Sequence, residues 1–291
     1  MKPDSAPQPR PGDLPSSSGP ARVDAIERAH LKDPRDSSHT MFRYAAPAEH
    51  AGLLERFWIP VWSVPPGSEA PQKVLQYPVC LLVVTAEYAR FYGVVSGLST
   101  TTLTGDGWAV GLMLAPAAGY LVSRTSVADY TDRFVDLEEV LGDAGSRLTA
   151  SVRAAMHDDP TSAAAHGEAM DAYCATLRPY LPVDDEGLLV NRLVSFVESR
   201  SDVTRVAQVC AELDLSERAL QRLVHRRIGL APKWLIQRRR LQEAAQHLRD
   251  RTASLSEVAT MLGYADQPHF IRDFSRVTAM TPGEFSARHA R

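Results

Sequence analysis

The chain is poor in the residues that mark several classes of protein. It has only three cysteines, Cys80, Cys174 and Cys210, in 291 residues. Because they are odd in number and far apart, we expect neither a disulfide framework nor a paired-cysteine zinc site, and we interpret them as small buried apolar side chains. No run reaches the roughly 18 to 20 apolar residues of a membrane span, and the first 20 residues lack the apolar stretch of a signal peptide. We therefore expect a cytoplasmic protein without a membrane partner.

Histidine is absent where a metalloenzyme would need it. None occurs between His50 and His157, although metal-dependent catalysis requires a cluster of His and carboxylate ligands. A reactive cysteine is also unsupported, because Cys80 lies in an apolar run without a neighbouring base. We predict no catalytic residues, no metal and no cofactor.

The formal charge of -3 hides an asymmetry between the two parts of the chain. Residues 191–291 carry 17 basic and 11 acidic side chains, a charge of +6, while the preceding residues carry 15 and 24, a charge of -9. A basic part joined to an acidic part is typical of a polyanion-binding module attached to a different domain. The length and the 44% hydrophobic content allow two domains with separate cores.

Residues before 184 divide into three predicted segments. Residues 1–40 are predicted to be a disordered tail, because six prolines fall in the first 20 residues and little apolar surface is available to offset the entropy of ordering. A short helix is expected near Val23–Leu31. Residues 41–142 alternate strand-like runs with turn-formers, which predicts a β-rich domain, either a sheet or a small barrel. Residues 143–183 are predicted to be a helical connector. The strand-like runs lie at residues 79–84, 89–95, 100–103 and 108–114.

Residues 184–291 are predicted to form an all-α domain. Helices are expected at Val203–Ala211, Glu217–Ile228 and Gln267–Val277, and a longer one at Pro232–Leu248. Asp202, Ser216 and Asp266 are expected to cap three of these helices, and Ser254 and Thr281 are expected to cap two further ones. The fold class is therefore α+β with two domains.

A short pattern occurs twice within this all-α domain. The first copy contains Leu220, Arg222, Val224, Arg226, Pro232 and Leu235, and the second contains Phe270, Arg272, Phe274, Arg276, Pro282 and Phe285. Each copy combines a short helix, a turn and a second helix, which is the helix-turn-helix arrangement. In both second helices one side is apolar, and the other is rich in hydrogen-bond donors that suit DNA bases. We expect these donor-rich sides to lack acidic partners.

The same region carries a resemblance to a known family. Four motifs match in order: Arg240-Leu241-x-x-Ala244-Ala245, Ala259-x-x-Leu262-Gly263-Tyr264, Gln267-x-His269-Phe270-Ile271-Arg272-x-Phe274 and Thr281-Pro282. Residues 188–289 thereby resemble the DNA-binding domain of AraC/XylS regulators. The resemblance implies two recognition helices in successive major grooves, roughly 34 Å apart. The first unit departs from the family at Val224, where Phe is usual.

The resemblance also implies roles for individual residues. Base contacts would come from Arg218, Gln221, Arg222, Gln267, Pro268, His269, Ile271 and Arg272. Phosphate contacts would come from Ser216, Arg226, Arg227, Lys233 and Arg276. The run Arg238-Arg239-Arg240 is expected to be solvent-exposed, with local salt bridges.

Residues 41–142 resemble the cupin-like sensor domain that often precedes such a DNA-binding domain. Six aromatic residues could line an effector pocket there or could simply form the core. They are Phe57, Trp58, Trp62, Phe91, Tyr92 and Trp108. Our candidates for the pocket are Trp58, Phe91, Tyr92 and Trp108.

We predict a bacterial, nucleoid-associated transcription regulator that is not an enzyme. Double-stranded DNA is its expected partner, and RNA polymerase, a small effector and a second copy of the chain are further candidates. One alternative is a DNA-binding domain fused to an enzyme, such as an alkyltransferase with a reactive cysteine, or to a pure dimerisation domain. Another is an architectural DNA binder without sequence preference.

Overall fold

The computed structural model describes residues 37–75 and 77–289. The predicted helix at Val23–Leu31 and nearly all of the predicted tail lie outside these residues. The first strand begins at His39, so the β-rich region starts two residues before the predicted boundary.

The N-terminal region contains two antiparallel sheets. The larger sheet has six strands in the order β1-β2-β7-β4-β5-β8, and β3 pairs with β6 in a separate two-stranded sheet. The predicted β-rich domain is confirmed, and the four strand-like runs correspond to β4, β5, β6 and β7. The strands are β1 (His39–Ala45), β2 (Leu54–Ser63), β3 (Ala70–Val74), β4 (Leu81–Thr85), β5 (Ala89–Tyr92), β6 (Ser99–Leu103), β7 (Asp106–Leu114) and β8 (Phe134–Asp136).

One face of the six-stranded sheet is covered by helices. Side chains alternate between the faces of a strand, and on this face Phe57, Leu82 and Leu112 are fully buried. The hydroxyl of Tyr173 donates a hydrogen bond of 2.8 Å to the carbonyl of Val110. The predicted connector therefore packs on the sheet as well as linking the two parts. The helices of this region are α1 (Ala118–Ser123), α2 (Leu137–Leu141), α3 (Asp143–Ala155) and α4 (Ala163–Leu177).

The C-terminal region is all-α, as predicted. Ser216, Ser254 and Asp266 each accept a backbone hydrogen bond at the start of a helix. Asp202 does not act as a cap: its carboxylate pairs with Arg200 at 2.7 Å, and the next helix begins only at Val206. The helices are α5 (Asp185–Ser199), α6 (Val206–Leu213), α7 (Glu217–Ile228), α8 (Pro232–Asp250), α9 (Leu255–Met261), α10 (Gln267–Thr278) and α11 (Pro282–His289).

The expectation of separate cores for the two parts is wrong. One buried cluster extends from the sheet through α3 to α7 and into the start of α8, and a second joins the rest of α8 to α9, α10 and α11. Gly229, which follows α7 with φ +84°, allows the end of α7 to lie close to Thr131 of the N-terminal region. The Thr131 hydroxyl donates a 2.8 Å hydrogen bond to the Gly229 carbonyl, and a Cβ at residue 229 would lie 2.6 Å from that hydroxyl oxygen.

Candidate nucleic-acid interface

Two helix-turn-helix units lie where the repeat predicts them. The first unit is α6 and α7, joined by a turn in which Asp214 has φ +51°. The second unit is α9 and α10, joined by a turn in which Gly263 has φ +71°. Asp and Gly tolerate this left-handed backbone better than most residues do, so both turns have suitable residues at the required position.

The first recognition helix, α7, separates its apolar and polar sides. Leu220 and Val224 are fully buried, whereas Arg218, Gln221 and Arg222 are exposed. Neither Arg218 nor Arg222 makes a hydrogen bond or ion pair with any residue that the structure describes. Their guanidinium groups are therefore open to an external acceptor.

The second recognition helix, α10, has the same arrangement. Phe270 and Phe274 are buried, and Pro268, His269 and Arg272 are exposed. Gln267 and Ile271, the remaining candidates for base contacts, are half-buried. Arg272 also makes no hydrogen bond or ion pair within the described part of the chain.

Acidic partners do occur near these polar sides, which corrects the prediction that there are none. On α10, Asp273 lies 3.7 Å from the ring nitrogen of His269 and 3.1 Å from Arg276. Gln237 of α8 donates a 2.8 Å hydrogen bond to Asp273, so this carboxylate also connects α10 to α8. On α7, Gln221 donates a 3.1 Å hydrogen bond to Glu217.

Two of the candidates for phosphate contacts instead hold the N-terminal end of α5. Arg227 is only 2% exposed and pairs with both Asp184 and Glu186, and its guanidinium lies 4.2 Å from the ring centroid of Tyr120. The prediction for Arg227 is wrong, because a buried and paired guanidinium cannot reach a phosphate. Arg226 is partly exposed but is also paired with Glu186, so a phosphate would have to compete with that carboxylate.

The ion pairs between Arg227 and its acidic partners shift the pKa values of Asp184 and Arg227. Although partial burial opposes the shift, hydrogen bonds and charge from Arg227 hold the pKa of Asp184 below its ordinary value. Burial likewise opposes the shift at Arg227, but hydrogen bonds from Asp184 and Glu186 raise the pKa of its guanidinium. Both groups are therefore charged at neutral pH.

The other three candidates for phosphate contacts remain accessible. Lys233 lies exposed in the first turn of α8, and Ser216 is exposed at the start of α7. The hydroxyl of Ser216 already accepts a 3.3 Å hydrogen bond from the backbone of Ala219. Arg276 is exposed and paired with Asp273.

The three consecutive arginines of α8 are not solvent-exposed, contrary to the prediction. Arg238 is 1% exposed and pairs with Glu198 at 2.9 Å, and Arg239 is 2% exposed and pairs with Glu243 at 2.7 Å. The guanidinium of Arg240 lies 3.8 Å from the ring centroid of Tyr264. Because α8 packs against α5, α6, α7 and α11, several sides of this helix are covered. Consecutive arginines on it are therefore covered by neighbouring elements and do not face solvent.

A cavity of about 230 Å³ lies between the two sheets. Of the four candidates for an effector pocket, Trp58 and Tyr92 line this cavity, whereas Phe91 and Trp108 do not. Phe91 is fully buried on the opposite face, with its ring centroid 5.1 Å from that of Tyr130, and Trp108 packs on the same side as Phe91. The cause is strand alternation: Phe91 and Tyr92 are adjacent in β5 and must point to opposite faces.

Several residues of the cavity wall were missing from the prediction. The alternation of side chains along a strand could have predicted them, because residues two positions apart lie on the same face. His39, Met41 and Arg43 of β1 follow this rule, as do Arg56, Trp58, Pro60 and Trp62 of β2. The contribution of Gln72, Val74, Ser99 and Thr101 depends on how the small sheet packs, which local sequence patterns do not specify.

The three cysteines differ in their burial. All three are free; Cys80 and Cys174 are buried, as expected, but Cys210 is only partly buried. Burial raises the pKa of Cys80 to about 12, so its thiol stays protonated at neutral pH.

Within residues 37–75 and 77–289, no group of three or more metal-ligating side chains is present. Over the same residues, no helix has the length and apolar character of a membrane span.

Comparison with known proteins gives two domain matches and a set of relatives. Residues 209–288 match a helix-turn-helix domain, and residues 43–136 match a domain of unknown function (DUF6597). The chain is similar to the HTH-type transcriptional activator RhaS of Escherichia coli O1:K1 / APEC, with 31% identity over 94 residues, covering 32% of this chain and 34% of RhaS. It thus spans about a third of the length of the curated relatives it matches.

Two of the similar solved structures come from Geobacillus stearothermophilus and Vibrio cholerae. The C-terminal domain of AraT, a response regulator from Geobacillus stearothermophilus, is 22% identical, with a TM-score of 0.34, and the match covers 37% of this chain and 91% of that one. ToxT from Vibrio cholerae O395 is 12% identical, with a TM-score of 0.37, and the match covers 87% of this chain and 99% of that one.

Proposed function

We propose that this chain is a transcription regulator of the AraC/XylS family and that it binds specific DNA sequences through the domain that matches a helix-turn-helix model. It would insert α7 and α10 into successive major grooves. The observation that carries this proposal is the equivalent placement of Arg222 and Arg272 in the two units, both exposed and both without an ion-pair partner among the described residues. Arginine in such a position can form two parallel hydrogen bonds with guanine.

The length of α8 supports the use of both units on one DNA molecule. The helix has 19 residues, and at about 1.5 Å per residue it is roughly 28 Å long. Successive major grooves on one side of DNA are roughly 34 Å apart. A rigid helix of this length therefore suits two recognition helices on one side of the duplex.

Roles for the remaining residues follow from this proposal. Base contacts are assigned to Arg218, Gln221, Arg222, Gln267, Pro268, His269, Ile271 and Arg272, and phosphate contacts to Ser216, Lys233 and Arg276. Arg226 could reach a phosphate only by leaving Glu186.

We assign residues 184–291 to DNA binding and residues 41–142 to sensing, with the helices of residues 143–183 packed on the sensing domain. The cavity between the sheets favours a small effector over a pure dimerisation role. We propose no enzymatic activity, and we place the protein in the cytoplasm on the nucleoid. A second copy of the chain and RNA polymerase are further proposed partners.

Competition binding tests the proposed specificity. Preferred duplexes would be selected from a random pool, and their affinity compared with that of unrelated DNA at several salt concentrations. We expect a ratio of roughly 1,000-fold or more, with affinity falling steeply as salt rises. A ratio near one would contradict the proposal and favour an architectural DNA binder.

A further inference from the structure

The second recognition helix carries a carboxylate among its basic side chains. Asp273 directly follows Arg272 and lies one helical turn from both His269 and Arg276. A negative charge at this place weakens the attraction between α10 and the phosphates of any DNA molecule. The side chain of Asp273 is 19% exposed, so most of it is covered by its neighbours, and its contacts with them indicate what it does.

Both oxygens of this carboxylate have partners. Oδ1 accepts a 3.1 Å hydrogen bond from Nη2 of Arg276, and Oδ2 accepts a 2.8 Å hydrogen bond from Nε2 of Gln237 on α8. Oδ2 also lies 3.7 Å from Nε2 of His269. Because Gln237 belongs to a different helix, the position of the carboxylate is fixed from outside α10.

The ring of His269 is restrained on two sides. Its centroid lies 5.2 Å from that of Tyr264, in an edge-to-face arrangement, while the Asp273 carboxylate lies beside its Nε2 atom. Tyr264 is only 7% exposed and is covered by the guanidinium of Arg240. The side chain of His269 is 47% exposed. A side chain that is accessible but already restrained loses less conformational entropy when it binds.

These contacts suit a role in specificity more than a role in affinity. The charge of Asp273 repels phosphates on every duplex. On a matching duplex, an oriented His269 and an oriented Arg276 make contacts that compensate this repulsion. On unrelated DNA, a His269 ring held in one orientation lacks a matching base edge, and the repulsion remains. Discrimination depends on the difference between the two cases.

We propose that Asp273 is a positioning residue that sets the DNA specificity of α10 by holding His269 towards one base pair and Arg276 towards a neighbouring phosphate. Gln237 anchors the carboxylate to α8. Asp273 acts through these neighbours and does not itself have to touch DNA. The inference rests on the proposed function, because it assigns a role within a DNA-binding helix.

Asp273→Asn in the full chain tests the proposal, because it should affect two kinds of DNA differently. Affinity for unrelated duplexes should stay the same or rise by up to about threefold, since one negative charge is removed. Affinity for the selected duplex should fall, because His269 and Arg276 are no longer held. The ratio of the two affinities should fall about tenfold, with relaxed choice at one base pair. An unchanged ratio would overturn the proposal.

The matched control lies on α3. Asp143 and Arg147 are exposed there, and their side chains make no ion pair or hydrogen bond with the residues that the structure describes. Asp143→Asn removes the same charge from a site outside both recognition helices, so it should leave the ratio unchanged. A ratio that falls equally in Asp143→Asn and Asp273→Asn would show that only the net charge matters, and would overturn the proposal.

Two further variants decide the outcome even if Asp273→Asn proves unstable. Instability is a risk because burial lowers the pKa of the Arg240 guanidinium and Asp273 opposes that shift; melting temperatures reveal it. Gln237→Ala keeps the carboxylate but frees it from α8, and should lower the ratio about threefold. His269→Ala should relax the same base pair as Gln237→Ala. An unchanged ratio in folded Gln237→Ala, or relaxation of different base pairs, would overturn the proposal.

The same measurements separate this inference from the proposed function. A wild-type chain that prefers no DNA sequence would contradict the proposed function, and the role of Asp273 with it. A wild-type chain that selects DNA, together with an Asp273→Asn variant that keeps the same ratio, would contradict the role of Asp273 alone.

Discussion

At the scale of single residues, burial separates candidates that can reach DNA from those that cannot. Arg272 and Arg227 are both arginines of recognition helices, yet Arg272 is exposed and Arg227 is 2% exposed. The difference arises because Asp184, Glu186 and Tyr120 surround Arg227. No feature of α7 alone predicts this, since the partners come from other segments.

Arg272→Ala should weaken binding to the preferred duplex by about 1 to 3 kcal/mol and relax the choice of one base pair. The reason is the loss of a bidentate base contact, which random DNA does not offer in the same register. Affinities for selected and unrelated duplexes measure the effect, with Arg147→Ala as the control. Equal losses on both kinds of DNA would show that Arg272 contacts phosphate instead.

Asp184→Asn should lower the thermal stability of the protein at neutral pH. Asparagine can still cap α5, but it removes one of the two carboxylates that compensate the buried Arg227. Because the pKa of Asp184 is lowered in the folded protein, its contribution is complete above the ordinary Asp value of about 3.9 and is lost as pH falls through the lower folded value.

Melting temperatures measured across the acid range test this sign. The gap between the wild type and Asp184→Asn should be largest near neutral pH and should close as the carboxyl is protonated. A gap that stays constant down to the lowest pH would contradict the role of the Asp184 charge.

At the scale of elements, two adjacent residues connect the cavity with the second helix-turn-helix unit. Val74 lines the cavity, whereas Leu75 is 1% exposed and packs in the buried cluster of α8 to α11. Gln242 of α8 donates a 3.4 Å hydrogen bond to the carbonyl of Leu75. Tyr77 also lines the cavity, and the guanidinium of Arg238 lies 4.9 Å from its ring centroid. The cavity wall is thus connected to α8 through Tyr77, and through Leu75 next to Val74.

Leu75→Ala should destabilise the second unit by about 2 to 5 kcal/mol, because it leaves a hole in a packed core. The signature is position-specific: hydrogen exchange should rise in α9, α10 and α11 and change much less in α3 and α4. Uniform loss of protection over the whole chain would show that Leu75 supports the entire fold. The control is Leu188→Ala, a leucine that is 46% exposed and should have little effect.

Gly229→Ala should loosen the contact between α7 and the N-terminal sheet domain. Alanine is strained at φ +84°, at about 1 to 2 kcal/mol, and its Cβ would meet the Thr131 hydroxyl. Hydrogen exchange near Val127–Tyr130 should increase. The matched control is Gly283→Ala, where a Cβ meets nothing within 4 Å; equal effects of the two would contradict this account.

At the scale of the whole molecule, local patterns were enough for the repeat, for the caps Ser216, Ser254 and Asp266, and for the β-rich domain. The pattern Leu220, Val224 and its counterpart Phe270, Phe274 identifies the buried sides of α7 and α10 because helical spacing fixes them. The burial of Arg238 and Arg239, and the shared core, depend on packing between distant segments. Leu75 lies far in sequence from α8, and no periodicity connects the two.

Footprinting of the full chain on its selected duplex tests the central claim most directly. The two recognition helices should protect two major-groove segments about one helical turn apart on the same side of the DNA. Arg222→Ala should weaken protection of one segment and Arg272→Ala protection of the other. A single protected segment, or a footprint that neither substitution changes, would contradict the proposal that α7 and α10 bind DNA together.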